Sequence, residues 1–267
     1  MDIFFPRHIS WQIFFKDSDP YSPFGKQTTS RIKKSIPILH EAGYRFAIEA
    51  IDDLYLDKFI PLYEAHISSK ERGVIFPVRD RIKEGRNRGR EYGALSLYKD
   101  TQYLGGLIFS HNTDTHSVSS NYKFFPHQIP EKIPISITFV AEMYFNEYAL
   151  KRDCEFIAHG VDRNVYGFHS AIGLACYKTQ IGGRPFIPRK HVPTDSLNEI
   201  FDRVPEFADD MLVFLGNTHD EFATTALLIS EKSDDELKTK FPILFSNKHY
   251  STHTIRHSEI PSSLDWK

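Results

Sequence analysis

The stretch His159-Gly-Val-Asp-Arg-Asn-Val-Tyr-Gly-Phe-His-Ser-Ala-Ile-Gly-Leu-Ala-Cys-Tyr-Lys-Thr-Gln-Ile-Gly-Gly-Arg-Pro-Phe186 decides how this chain is read. Phe156-Ile157-Ala158 before it forms a short apolar strand, and the polar residues that follow open a loop. Small and apolar residues from Val165 to Thr179 then predict a helix, which Gly182-Gly183 and Pro185 terminate ahead of a new strand. The order is strand, loop, helix, strand, and function collects where such a loop leaves a rigid strand.

Working back from this segment, Tyr44 to Ile51 alternates as a strand does. Asp52 or Asp53 then caps a helix with Leu56, Phe59, Ile60, Tyr63 and Ile67 at helical spacing, interrupted or kinked by Pro61. Pro77 to Arg90 reads as a basic helix weakened by Gly85 and Gly89. Glu91 to Tyr98 and Gln102 to Ser110 form a hairpin about the turn Lys99-Asp100-Thr101, with a third strand from Ser117 to Phe125. A proline-punctuated loop from Phe125 to Pro134 leads into an apolar helix over Ile135 to Lys151, with Pro134 suited to its first turn. The first forty residues show no sustained periodicity and read as an irregular lead-in. Beyond Arg189 the pattern gives an acidic helix around Leu197 to Phe201, strands at Met211 to Leu215 and Ala226 to Ser230, and a polar tail.

Hydrophobic residues make up 40% of the 267, enough for a sizeable core. No run of about eighteen apolar residues occurs, so no membrane-spanning helix is expected. Met1-Asp2-Ile3-Phe4-Phe5-Pro6 lacks the basic start and apolar stretch of a signal peptide. A soluble cytoplasmic protein with no membrane partner is the expectation. Cys154 and Cys176 are the only cysteines, which excludes a disulfide framework and suits a reducing compartment. The aromatic content of 14%, with 22 Phe and 13 Tyr, serves either core packing or an aromatic-lined pocket.

The net charge of -2 hides two opposed regions. Lys70 to Arg90 carries eight Lys and Arg against three acidic residues, a net charge of +5. Asp195 to Glu236 carries twelve Asp and Glu against Arg203 and Lys232, a net charge of -10. The first attracts phosphate, of a cofactor or of RNA; the second favours a cationic partner such as an amine. Solvated faces of opposite sign account for the same pattern.

The order of elements, together with His159-Gly-Val-Asp-Arg-Asn164, Ala171-Ile-Gly-Leu-Ala-Cys-Tyr-Lys178 and Ile181-Gly-Gly-Arg-Pro185, resembles the Fem-like branch of the GNAT-fold N-acyltransferases. The resemblance spans roughly residues 44 to 188 in element order and about thirty residues in motif. It implies an α+β fold with a GNAT-like mixed, mostly antiparallel central sheet flanked by helices. The implied organisation is a lead-in over 1–43, an acyltransferase core over 44–190 and an acidic extension over 191–267. Common GNAT enzymes hold the CoA pyrophosphate on an Arg/Gln-x-x-Gly-x-Gly/Ala loop. Here the equivalent junction, Phe125 to Ile135, has three prolines and no glycine. Fem-type transferases that use aminoacyl-tRNA usually carry two such domains, and this chain is too short for two full copies.

The resemblance implies transfer of an acyl group from an acyl-CoA co-substrate to a primary amine of a small molecule, sugar or peptide. Aminoacyl-tRNA is the competing donor, and a non-catalytic binding protein of the same fold is a further alternative. Lys178, in the aromatic-Lys pair Tyr177-Lys178, is the candidate for oxyanion or leaving-group stabilisation; a lysine at a helix end is also favoured by the macrodipole. Asp162 either accepts a proton from or orients the amine, or caps the following helix. His159, at the strand end, is a candidate base or a hydrogen-bonded structural histidine. Tyr177 is a candidate proton donor or a core aromatic. Ile133, Ile135 and Ser136, at a helix N-terminus that attracts phosphate, are the candidate donor-binding residues, with Asn164 and Tyr166. Cys176, among Ile172, Leu174 and Ala175, suits an inert buried thiol rather than a nucleophile. His249, His253 and His257 recur every four residues, yet their β-prone setting argues against a helical zinc face, and no metal is expected. No P-loop, Rossmann glycine fingerprint or paired-cysteine zinc motif is present.

Overall fold

The structure is a computed structural model that describes residues 3–4, 6–70, 73–167, 170–187, 210–217 and 220–256. Its elements in chain order are β1 (Ile3–Phe4), β2 (His8–Phe14), α1 (Lys26–Glu41), β3 (Tyr44–Ala50), α2 (Asp53–Ser68), α3 (Val78–Asn87), β4 (Glu91–Lys99), β5 (Gln102–Asn112) and β6 (Ser117–Phe124). They continue with α4 (Ile137–Lys151), β7 (Phe156–Arg163), α5 (Ile172–Gln180), β8 (Arg184–Phe186), β9 (Met211–Asn217) and β10 (Asp220–Ile229). Two short helices, α6 (Asp234–Lys240) and α7 (Pro242–Ser246), and β11 (Ser251–Ile255) complete the series. The chain divides into a unit of Ile13–Gly160 and a unit of Met1–Gln12 with Val161–Lys267. These divisions fall within β2 and β7.

In the Ile13–Gly160 unit the order is β3-β4-β5-β6-β7, antiparallel except for the parallel β6/β7 pair. That pairing runs only from Ser117 opposite Phe156 to Ser119 opposite Ala158. Strand, two helices, three antiparallel strands, helix and parallel strand is the GNAT-like order expected, in a mixed, mostly antiparallel sheet with helices against it. Asp52 caps α2, accepting from the Tyr55 N–H at 2.7 Å. The buried face of α2 (Tyr55, Leu56, Phe59, Tyr63) packs with Val78 and Ile82 of α3 and with Ala94, Ile108 and Tyr122 of the sheet.

The lead-in is not irregular. In β2 the residues Ile9, Trp11 and Ile13 alternate inward and are fully buried, and α1 is a sixteen-residue helix.

In the other unit the order is β1-β9-β10-β8-β2, antiparallel, with β11 added parallel to β10. The predicted helix over Val165 to Thr179 is shortened to α5. Tyr166 instead exchanges both backbone hydrogen bonds with Leu212 at 2.9 Å, and Gly167 takes a φ of 97° against the Asp210 carbonyl, where no Cβ would fit. The polar tail contains α6, α7 and β11, and the acidic helix around Leu197 to Phe201 lies outside the described residues. His253 sits in strand β11 opposite Leu227, so no helical face unites the histidine series.

Part of the acidic C-terminal charge is consumed internally. Asp210, buried, accepts from Ser230 at 2.6 Å, Lys232 at 2.7 Å and Lys240 at 2.7 Å. Burial opposes ionisation, but the hydrogen bonds from Lys232, Lys240 and Ser230 outweigh it and hold the carboxyl down at about 2. A folded value below the ordinary 3.8 means that folding favours the carboxylate, so its contribution is full above the unfolded value and lost as pH falls towards 2. Asp210→Asn is therefore expected to flatten the acid limb of the stability curve between about pH 4 and pH 2. Circular dichroism through an acid titration reads this directly, and an unchanged acid limb would remove Asp210 from the account.

Candidate active site

The end of β7, the bend after it, α5 and the buried strand β2 converge on one carboxylate. Asp162 leaves β7; Lys178 lies in the last turn of α5 with its side chain turned inward. Lys178 Nζ donates to Asp162 Oδ2 at 2.6 Å, and the Tyr166 hydroxyl donates to the same oxygen at 2.8 Å. Trp11 Nε1–H in turn donates to the Tyr166 hydroxyl at 2.8 Å. The result is a chain of polar contacts, indole to phenol to carboxylate to ammonium, inside an apolar shell. Trp11 also meets Phe214 edge to face at 5.4 Å, and the Lys178 ammonium stands 5.9 Å from the Trp11 ring centroid.

Side-chain exposures of 9% for Lys178 and 11% for Asp162 leave the ion pair almost dry. Its electrostatic coupling is correspondingly stronger than that of a surface pair. Tyr166 is fully buried; burial first, and then the Asp162 charge, push its hydroxyl well above the ordinary range, although the Trp11 bond works the other way. It stays protonated and committed to Asp162. The turn after α5 is fitted to this cluster: Gly182 has a φ of 90°, and the Gly183 N–H donates to the Lys178 carbonyl at 2.8 Å. A Cβ on Gly183 would lie 2.7 Å from that carbonyl and 3.2 Å from the Trp11 ring.

The remaining expected site residues separate into distinct settings. Asn164 turns its amide to backbone groups. Its Nδ2 donates to the carbonyls of Pro6 at 2.8 Å and Phe214 at 2.7 Å, and its Oδ1 accepts from the Phe214 N–H at 2.8 Å. Fully buried, Asn164 is a clamp on backbone groups. Tyr166 likewise is fully buried, with its hydroxyl between Trp11 and Asp162. Tyr177 is half-buried in α5, a hundred degrees of helical turn away from its neighbour Lys178. Cys176 is free and half-buried, and burial pushes its thiol up to about 11, the inert character its apolar neighbours implied.

His159 belongs to the Ile13–Gly160 unit. It is buried beside Glu142 of α4, Nε2 to Oε2 3.5 Å, while Glu142 Oε1 accepts from Lys123 of β6 at 2.6 Å. In the same unit Ile133, Ile135 and Ser136 line an open cleft of about 510 Å3 formed by residues 126–129 and 131–137. Ser136 caps α4, accepting from the Thr138 N–H at 3.4 Å, so the helix begins two residues later than its apolar run suggested. Glu131 in this cleft takes hydrogen bonds from Lys99 at 2.7 Å and Tyr44 at 2.6 Å, and Lys99 foremost holds its carboxyl below the usual range.

Sequence reasoning missed Trp11, Glu142 and Lys123. For Trp11 a signal existed in the alternation Ile9-x-Trp11-x-Ile13. Glu142 carried none, since its helix reads as apolar almost throughout.

No family model matches the chain, and no curated protein does. Solved structures similar to it include L-PGS from Bacillus licheniformis, 11% identical with a TM-score of 0.43 over 60% of this chain and 46% of that one. FemX is 13% identical, with a TM-score of 0.46 over 67% of this chain and 59% of that one. A tandem GNAT protein from the clavulanic acid biosynthesis pathway is 13% identical, with a TM-score of 0.41 over 68% and 50%. The chain thus spans about half the length of the structures it is similar to.

Proposed function

We propose that this chain is an acyltransferase that moves an acyl group from an activated donor to a primary amine, with the Lys178–Asp162 pair as its polar centre. The observation that carries this reading is the nearly dry ion pair at the junction of β7 and α5, where Tyr166 and Trp11 fix the carboxylate from behind. In such a transfer the amine nitrogen attacks the acyl carbonyl, a C–N bond forms, and the bond to the leaving thiolate or hydroxyl breaks. The amine gives up a proton and the leaving group takes one. A fixed ammonium in a low-dielectric setting stabilises the negative charge that develops on the carbonyl oxygen. Asp162 holds that ammonium charged and in place, which makes it a positioning residue for Lys178.

Acyl-CoA is the proposed donor; within the Ile13–Gly160 unit, the cleft at the N-terminus of α4 that contains Ile133, Ile135 and Ser136 is, taken by itself, a candidate for phosphate. The proposed acceptor is a primary amine on a small molecule, sugar or peptide. Titration with acetyl-CoA, CoA and aminoacyl-tRNA tests the donor, because an RNA contact weakens steeply with ionic strength and a CoA contact far less. Binding of none of the three would sink the enzyme reading and leave a non-catalytic protein of this fold. With a donor in hand, Lys178→Ala is expected to lower turnover by about a hundredfold or more while donor affinity stays within a few-fold. Lys178→Arg, which keeps the charge, is expected to recover part of that loss. A Lys178→Ala enzyme that is folded and turns over normally would exclude this centre.

A further inference from the structure

One patch of the Ile13–Gly160 unit is apolar, exposed and flanked by cations. Between α2 and α3 the chain turns back on α2, and Gly73 makes this possible: a Cβ there would lie 2.1 Å from the Ile67 carbonyl. The Gly73 N–H donates to the Lys70 carbonyl at 3.1 Å, and beyond the strap Val78 and Ile82 bury themselves against α2 and the sheet. The strap is thus anchored at both ends. Between the anchors Val74, Ile75 and Phe76 stand 62%, 46% and 36% exposed, three large apolar side chains in succession. Single exposed apolar residues are ordinary on a protein surface; a run of three on an anchored strap marks an interaction site.

The charges on α3 and just after it are not equivalent. Arg79 is neutralised by Asp53 and by Asp57 at 2.7 Å, and Arg86 donates to the Ile51 carbonyl. Arg81 lies over the Phe76 ring, 4.3 Å from its centroid, a cation held against the apolar run. Lys83, Arg88 and Arg90 are exposed, and Glu84 offsets Arg88 only across 3.9 Å at the surface. An apolar run with Arg81 held against it, followed by a helix that carries further exposed cations, complements a surface that is apolar below and anionic above.

We infer that Val74, Ile75 and Phe76, with Arg81, Lys83, Arg88 and Arg90, form a docking element for an anionic phospholipid surface. This departs from the expectation of a chain with no membrane partner and does not rest on the acyl-transfer reading. A lipid surface fits better than RNA because valine and isoleucine offer an RNA no stacking face, whereas they enter the boundary between headgroups and acyl chains. The contact is peripheral: no helix among the described residues is long and apolar enough to cross a membrane.

Vesicle flotation of the full chain tests this, with phosphatidylcholine vesicles alone and with about 30% phosphatidylglycerol added. The expected result is partition onto the anionic vesicles only, weakening as salt is raised. Val74→Ser with Ile75→Ser is expected to lower partition by about tenfold or more, and Lys83→Gln with Arg88→Gln by about tenfold. The serine pair replaces exposed residues, so its urea midpoint should match the parent, which separates lost docking from lost folding. The same variants are titrated with transfer RNA, where the serine pair should behave as the parent. No partition onto anionic vesicles, equal partition onto neutral ones, or full binding by the folded serine pair would overturn the inference. Binding of transfer RNA that only the glutamine pair weakens, without vesicle binding, would overturn it in favour of RNA.

Discussion

Replacing Asp162 by asparagine is expected to destabilise the protein by about 3–5 kcal/mol, because it takes the Asp162 carboxylate charge from beside the almost dry Lys178 ammonium. The amide keeps the shape and one acceptor, so the loss isolates charge rather than volume. The Tyr166 hydroxyl, which donates to Asp162 at 2.8 Å, exchanges a charged acceptor for a neutral one at the same time. Removing both charges, as Asp162→Asn with Lys178→Met, is expected to restore most of the stability, since a matched apolar replacement of a buried ion pair is often neutral. Urea denaturation of the two single variants and the double gives the coupling. A loss below about 1 kcal/mol for Asp162→Asn would mean that the pair behaves as a surface salt bridge and that the dry centre is wrongly described.

Asn164→Ala is expected to cost about 3 kcal/mol or more, through a different mechanism. Its amide satisfies the Pro6 carbonyl, the Phe214 carbonyl and the Phe214 N–H, all reached from one fully buried side chain. Truncation strands these backbone groups, and each unsatisfied buried group costs about 1–3 kcal/mol before relaxation. The measurement with the most resolution is amide exchange. The Phe214 N–H should lose protection in Asn164→Ala beyond what the change in global stability explains. Retained protection would show that another acceptor replaces Oδ1, and that the clamp is redundant.

The central part of the fold was legible because its patterns are strong. The helix capped by Asp52, the hairpin about Lys99–Thr101 and the strand that begins at Ser117 all follow from local periodicity and turn chemistry. Strand β2 was not read, since Phe4, Phe5, Phe14 and Phe15 surround the alternating Ile9, Trp11 and Ile13 with further apolar residues and blur the period. Helix α1 was missed for the opposite reason: its buried face is Thr28, Ile32, Ser35 and Leu39, half of it polar, with Pro37 inside. The segment after β7 was read as helix because its composition suits one, yet Tyr166 takes its backbone partners from Leu212, which no local pattern can show. The sequence offered Asp162 for its place after a strand and Lys178 for the aromatic-Lys pair, and the structure brings the two together. The sequence could not show that Tyr166 and Asn164 look inward, because inward and outward positions in an irregular bend carry no period.

The indole that steadies this cluster comes from β2, and its phenol partner lies 155 residues further along the chain. During synthesis Trp11 therefore leaves the ribosome long before Tyr166, Asp162 or Lys178 exist to receive it, and closure of so long a loop must precede the reward of the contact. The polar centre is accordingly a contact of high loop-closure cost. A chain truncated before Val161 lacks these partners of β2, and its alternating face of Ile9, Trp11 and Ile13 is expected to favour association.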